Sequence, residues 1–148
     1  MTFKEIEQEL PNGFHDAAIR SVSVDFVSRS VLIEMDLHVG VAGDPDPERY
    51  RPGTLAVISP YLFFIEPPDP RYQFVPSGSP LNVDGDSVKA GQCPEMDRLL
   101  PALPQGATAY RFFLEEWNSF LYLAGGSVTF SWRDLETSAG RWGIQRPG

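Results

Sequence analysis

The residues with clear chemical potential are few. His15 is followed directly by Asp16, and a histidine held by a carboxylate can act as a general base or bind a metal. Adjacent residues on an extended chain point to opposite faces. The pair therefore also reads as a device that orders a turn, with Asp16 accepting from backbone N–H groups. Glu34, Asp36 and His38 stand at i, i+2 and i+4, which puts them on one face of a strand. Two carboxylates and an imidazole make a ligand set for a divalent metal. The same spacing also describes the solvated face of an amphipathic strand. His15 or Asp25 would extend the set if the hairpin brought either onto that face.

Other candidates fall away on spacing. Cys93 has no Cys or His partner at zinc distance and no neighbouring histidine to activate it as a nucleophile. The serines form no G-x-S-x-G elbow. Gly125-Gly126 lacks the spacing of a phosphate loop and reads as a turn. Asp44, Asp46 and Glu48 miss the glycine and glutamate that a calcium loop requires. Ten Phe, five Tyr and three Trp are mostly core. Tyr61, Tyr72, Trp117 and Trp142 lie near loops, where such residues line clefts or anchor partners.

Proline positions sort the elements that must hold these residues. Twelve of the fourteen prolines lie between Pro45 and Pro104. Proline lacks the ladder donor and fixes φ, so central strands exclude it. The two outer thirds are then the sheet builders and the middle is rich in loops. Thr2 and Glu5 form a capping box ahead of a Phe3, Ile6, Leu10 stripe, and Pro11-Asn12-Gly13 stops that helix. Val22, Val24 and Phe26, then Val31, Ile33, Met35, Leu37 and Val39, alternate with polar residues around Ser28-Arg29. This predicts an antiparallel hairpin with one buried face. Residues 40–52 read as an exposed acidic loop. Residues 55–58 and 61–65 read as two strand pieces joined by a bulge at Ser59-Pro60.

Asp84-Gly85 reads as a turn between short strands at 81–83 and 87–89. Pro94 opens a short helix over 94–100. Residues 108–117 form a strand that Asn118-Ser119 turns. Residues 120–123 and 128–132 form a last hairpin around the glycine pair. Trp142 lays an aromatic of the C-terminal tail on the body. The expected fold is mainly β (α+β): one domain over 1–148, an antiparallel curved sheet, sandwich or partly closed barrel with one or two short helices.

Two short motifs carry a resemblance. Phe14-His15-Asp16-Ala17 leads straight into a strand-turn-strand, and Glu116-Trp117-Asn118-Ser119-Phe120 opens the final strands. Together they resemble a group of small uncharacterised bacterial proteins with a Phe-His-Asp-Ala element before a β-hairpin and a late Trp-Asn pair. Some distant relatives look like immunity proteins of bacterial toxin systems. The resemblance implies a β-rich bacterial domain and directs attention to His15, Asp16, Trp117 and Asn118, without assigning them chemistry.

Composition narrows the function classes. Asp and Glu number 20 against 12 Lys and Arg, a formal net charge of -8. Phosphate binding needs a basic face, so nucleic acid is disfavoured. No apolar run approaches the ~18 residues of a membrane helix, and the N-terminus has no apolar signal core. One cysteine forms no internal disulfide, so the chain reads as cytoplasmic. Val, Ile, Leu and Phe make up about 27% of it, above the ~20% line for disorder. The expectation is a non-enzymatic binding or immunity-type protein that meets a basic protein partner. Homo-oligomerisation stays open, and no cofactor or metal is assigned. The alternative is a small metal-dependent enzyme or small-ligand-binding β-protein built on Glu34, Asp36, His38 and His15. The candidate site is His15, Asp16, Glu34, Asp36, His38, Trp117 and Asn118.

Overall fold

The capping box forms as its residue types require. In a computed structural model, which describes residues 1–72 and 78–133, the Thr2 hydroxyl accepts from Glu5 N and the Glu5 carboxylate accepts from Thr2 N. Two orphan donors of the first turn are thereby satisfied. Helix α1, Phe3–Glu9, buries Phe3 and Ile6, with Leu10 just beyond it. A helix this short is marginal alone. It is held by tertiary bonds: Phe3 N donates to the Thr108 hydroxyl, and Val128 N donates to Met1 O.

Six strands follow. They are β1 (Ala17–Asp25), β2 (Ser30–His38), β3 (Tyr50–Ile65), β4 (Leu81–Ser87), β5 (Thr108–Leu114) and β6 (Ser119–Trp132). All pairings are antiparallel, and the order β1-β2-β3-β6-β5-β4 closes into a barrel. The mainly β, barrel-like fold expected from the sequence is therefore present, with α1 and a second short helix, α2 (Pro94–Leu99). Val31, Ile33, Met35 and Leu37 point inward from β2, and Tyr110, Phe112 and Leu114 from β5. Helix α2 lies outside, with Met96 and Cys93 packed on Tyr122, Phe64 and Phe120.

Four expectations need correction. The Asp84-Gly85 pair is not a turn, because β4 runs unbroken through it and pairs Gly85 with Phe112. Gly85 is needed because Tyr110 lies flat against its backbone, and a Cβ there would overlap the Tyr110 ring and hydroxyl. Nor does Gly125-Gly126 turn the chain. Strand β6 passes straight through it, and Gly125 allows Val57 and Ile58 of β3 to approach. Opposite it, β3 breaks register between Pro60 and Leu62, with Ser59 at φ 52°. The bulge and the glycine together bend one strand pair around a barrel corner, which is the joining bulge the sequence predicts.

The third correction concerns proline. The proline-rich middle is not loop throughout, since it carries β3, the longest strand. Pro52 lies near the start of that strand and Pro60 lies at the bulge, where no ladder donor is needed. The hairpin also buries less than expected. Val24 and Phe26 at its tip are exposed, because β4 pairs with β1 only over Ala17–Ile19 and leaves the outer part of β1 without that neighbour. The expected docking of Trp142 lies outside the described residues.

Replacing Gly85 with Ala should lower unfolding free energy by about 1–3 kcal/mol, the usual cost of overpacking. Removing the hydroxyl in a Gly85→Ala/Tyr110→Phe double variant should recover part of the loss. Equilibrium denaturation in urea measures both. Equal stability of Gly85→Ala and the parent would show that Tyr110 does not constrain this strand.

Candidate functional site

The chain leaves α1 through Asn12 and Gly13, whose φ is 56°. Asn12 Nδ2 donates to the carbonyls of His38 and Gly40, both at 2.9 Å, which ties this turn to the end of β2. Phe14 then inserts fully into the core, edge-on to Phe112 and against Tyr110. With Phe14 anchored inside, His15 is left outside.

Asp16 is not extended. Its φ is 55°, a left-handed conformation that Asp tolerates. This reverses the opposite-face reading of the pair, and His15 and Asp16 both turn toward Asp84 of β4. His15 Nδ1 lies 2.7 Å from Asp84 Oδ1, and His15 Nε2 lies 3.3 Å from Asp16 Oδ2. The same Asp84 oxygen accepts from Asp16 N at 3.2 Å. Among the described residues, His15, Asp16 and Asp84 are the group whose donor atoms lie close enough together to share a metal ion.

The Trp-Asn motif approaches the other side of β4. The 3-10 turn Glu115–Trp117 follows β5. Glu116 accepts from Asn82 N and Nδ2, and the Glu115 carboxyl lies within the field of Asp84. Trp117 and Asn118 themselves are architectural. Trp117 packs on the core, and its carbonyl accepts from Asp69 N at 2.8 Å. Asn118 takes the left-handed cap at φ 47°, and its Nδ2 donates to Asp69 Oδ2. Arg71 and these donors hold the Asp69 carboxyl well below the usual carboxylate range. The two motifs thus meet through their acidic neighbours across Asp84.

The strand-face trio does not gather. Glu34 accepts from the Thr54 hydroxyl and pairs with Arg133 at 3.3 Å. Asp36 pairs with Arg20 at 2.6 Å. His38 Nε2 is 2.8 Å from Pro47 O, and its ring packs tilted against Tyr50, with centroids 5.3 Å apart. Each has its own partner, as the solvated-face reading requires.

Sequence reasoning missed Asp84, Glu115 and Tyr50. The Asp-Gly pair concealed the alternation of Leu81, Val83 against Asn82, Asp84, Asp86, which was the available signal. The electrostatics of the group are one-sided. The hydrogen bond to Asp84, then the charges of Asp16 and Asp84, push the His15 pKa up. Partial burial of its carboxyl, then the hydrogen bond and charge of Asp84 and the charges of Glu116 and Asp16, push Glu115 up. Burial raises Tyr50 first, and the charges of Asp16, Glu48, Asp36 and Glu115 raise it further. The clefts at the hairpin tip, beside Trp117 and beside Tyr50 are not lined by His15, Asp16 or Asp84. His15 lies on the open outer wall, its side chain 70% exposed.

The fold and site define a small closed antiparallel barrel with an acidic, histidine-bearing outer face. Comparison of the chain with protein-family models, curated proteins and solved structures finds no match. Among the described residues no helix is long and apolar enough to cross a membrane.

The raised pKa values of His15 and Glu115 give a sign to the pH dependence. Both groups bind protons more tightly in the folded state, so their contribution is full below the unfolded pKa values and falls as pH rises through the folded ones. Proton NMR should show the His15 ring titrating above the ordinary histidine value of about 6.5. Asp84→Asn should bring it down. An unchanged His15 titration in that variant would break the pairing of His15 with Asp84.

Proposed function

We propose that the protein is a non-enzymatic, immunity-type binding protein of the bacterial cytoplasm, and that its acidic outer face receives a basic protein partner. The observation that carries this reading is the crowding of Asp16, Asp84 and Glu115 around a single histidine, with Glu116 adding its charge beside Glu115. The carboxylates outnumber the histidine, and after partial burial the charges of Asp84, Glu116 and Asp16 raise the proton affinity of Glu115, so an incoming Lys or Arg would relieve the local excess of negative charge. Tyr50, 42% exposed and within the field of Asp16, Asp36, Glu48 and Glu115, supplies an aromatic anchor beside them. Aromatic residues are enriched at the centres of interfaces. The overall charge of -8 would steer a basic partner and make encounter sensitive to salt.

A second reading rests on the His15, Asp16, Asp84 geometry, which brings an imidazole and two carboxylates within reach of one divalent ion. A metal would have to replace the proton that these same carboxylates hold on His15. Calorimetric titration with zinc and manganese, comparing the parent with His15→Ala, separates the readings. Heat lost in His15→Ala supports the metal, and no heat in either protein removes it.

For the first reading, the protein should retain a basic partner from host extract at low salt and release it at high salt. An Asp16→Asn/Asp84→Asn/Glu115→Gln variant should bind at least about tenfold more weakly, mostly through slower association. Tyr50→Ala should weaken binding mainly through faster dissociation. Failure to recover a partner, or a partner indifferent to these substitutions, would overturn the assignment.

A further inference from the structure

The end of the barrel away from α1 carries a different surface. The β1–β2 loop is rigid: the Asp25 carboxylate accepts from Val27 N at 2.9 Å and Ser28 N at 3.1 Å, and Arg29 holds φ 56°. A loop fixed this way presents side chains with little ordering cost on contact. It presents Phe26 at 80% and Val27 at 95% exposure, with neither packed in the barrel core. Beside the tip lies a cleft of about 370 Å³ between Val24 and Phe26 on one side and Pro60 and Tyr61 on the other. Among the described residues the Tyr61–Ile65 stretch of β3 pairs only with β6.

We propose that this surface is the interface of a two-fold dimer, in which the hairpin tip of each copy packs on the Pro60–Tyr61 shelf of the other. Three features select a second copy as the occupant. The projecting part and the cleft are on the same patch, so the surface is complementary to itself, as an isologous interface requires. Its charges are balanced as well: Asp25 and Arg29 flank the cleft, and a two-fold axis sets Arg29 of one copy near Asp25 of the other. The basic partner proposed above would instead be drawn to the acidic face. Finally, Val24, Phe26, Val27 and Tyr61 are all exposed at the tip and cleft, an apolar area on the order of 500 Å² per copy, within the range of the largest patches that monomers leave uncovered. Mutual burial removes about twice that, the lower limit for a stable interface.

Sedimentation velocity across micromolar concentrations tests the arrangement. The parent should sediment as a dimer at high concentration and persist as one at high salt, unlike the acidic-face complex. Phe26→Asp and Arg29→Asp should each sediment as monomers, with unchanged circular dichroism because both side chains are exposed. A monomeric parent at every concentration overturns the proposal, and so does a dimer that Phe26→Asp leaves intact.

Discussion

Tyr110 is the point on which the arrangement turns. Its ring stacks on Phe3 at 5.1 Å and meets Phe14 and Phe112 at 5.5 and 5.2 Å. Its hydroxyl donates to Glu7 at 2.9 Å, and its face rests on Gly85. One aromatic thereby joins α1, the turn after it, and two neighbouring strands. A buried phenol without an acceptor would be costly, so Glu7 fixes the rotation of α1, and burial with that bond pushes the phenol pKa upward. Because Phe14 docks on the same ring, His15 and Asp16 emerge beside Asp84, the residue that precedes Gly85. The acidic cluster is a consequence of how the barrel end is filled.

On the outer wall, carboxylates are placed by the fold instead of by attraction to cations. Elsewhere acidic groups have cations at close range, as with Asp36 and Arg20 or Asp69 and Arg71. Around Asp84 the nearest cation is His15, shared with Asp16, while Glu115 adds another carboxyl. Exposed pairs of this kind contribute little to stability. The raised proton affinities of His15 and Glu115 record, besides the partial burial of Glu115, a local excess of negative charge. The apolar end has the opposite character, since Asp25 is bound to its own loop while aromatic and aliphatic groups face water. The two surfaces therefore differ in chemistry, one acidic and one apolar.

Much of the fold was legible because local physics agreed with tertiary physics. The capping box, the Phe3-Ile6-Leu10 stripe, the β1–β2 alternation and the helix opened by Pro94 depend on near neighbours, and each formed close to where the pattern placed it, except that Val24 is exposed and Phe26 lies beyond the end of β1. The glycines misled because Asp84-Gly85 and Gly125-Gly126 have turn chemistry locally but serve as close-approach points. Only the ring of Tyr110 and the backbone of β3, remote in sequence, explain them. For the site, His15 and Asp16 were visible as a motif. Asp84 and Glu115 were not, since nothing local says that β4 lies beside the start of β1.

By itself the sequence determined the periodicities, and with them an antiparallel β fold, the inward faces of the strands and the acidic balance. These depend on side-chain alternation and residue type, which act over a few residues. The tertiary structure alone decided closure of the barrel, the continuity of β4 and β6, and the meeting of His15, Asp16, Asp84 and Glu115. It also decided that Glu34, Asp36 and His38, which share a strand face, would each find a separate partner. The reason is that contacts between distant segments depend on strand order and register, and strand order is set by how the whole core fills.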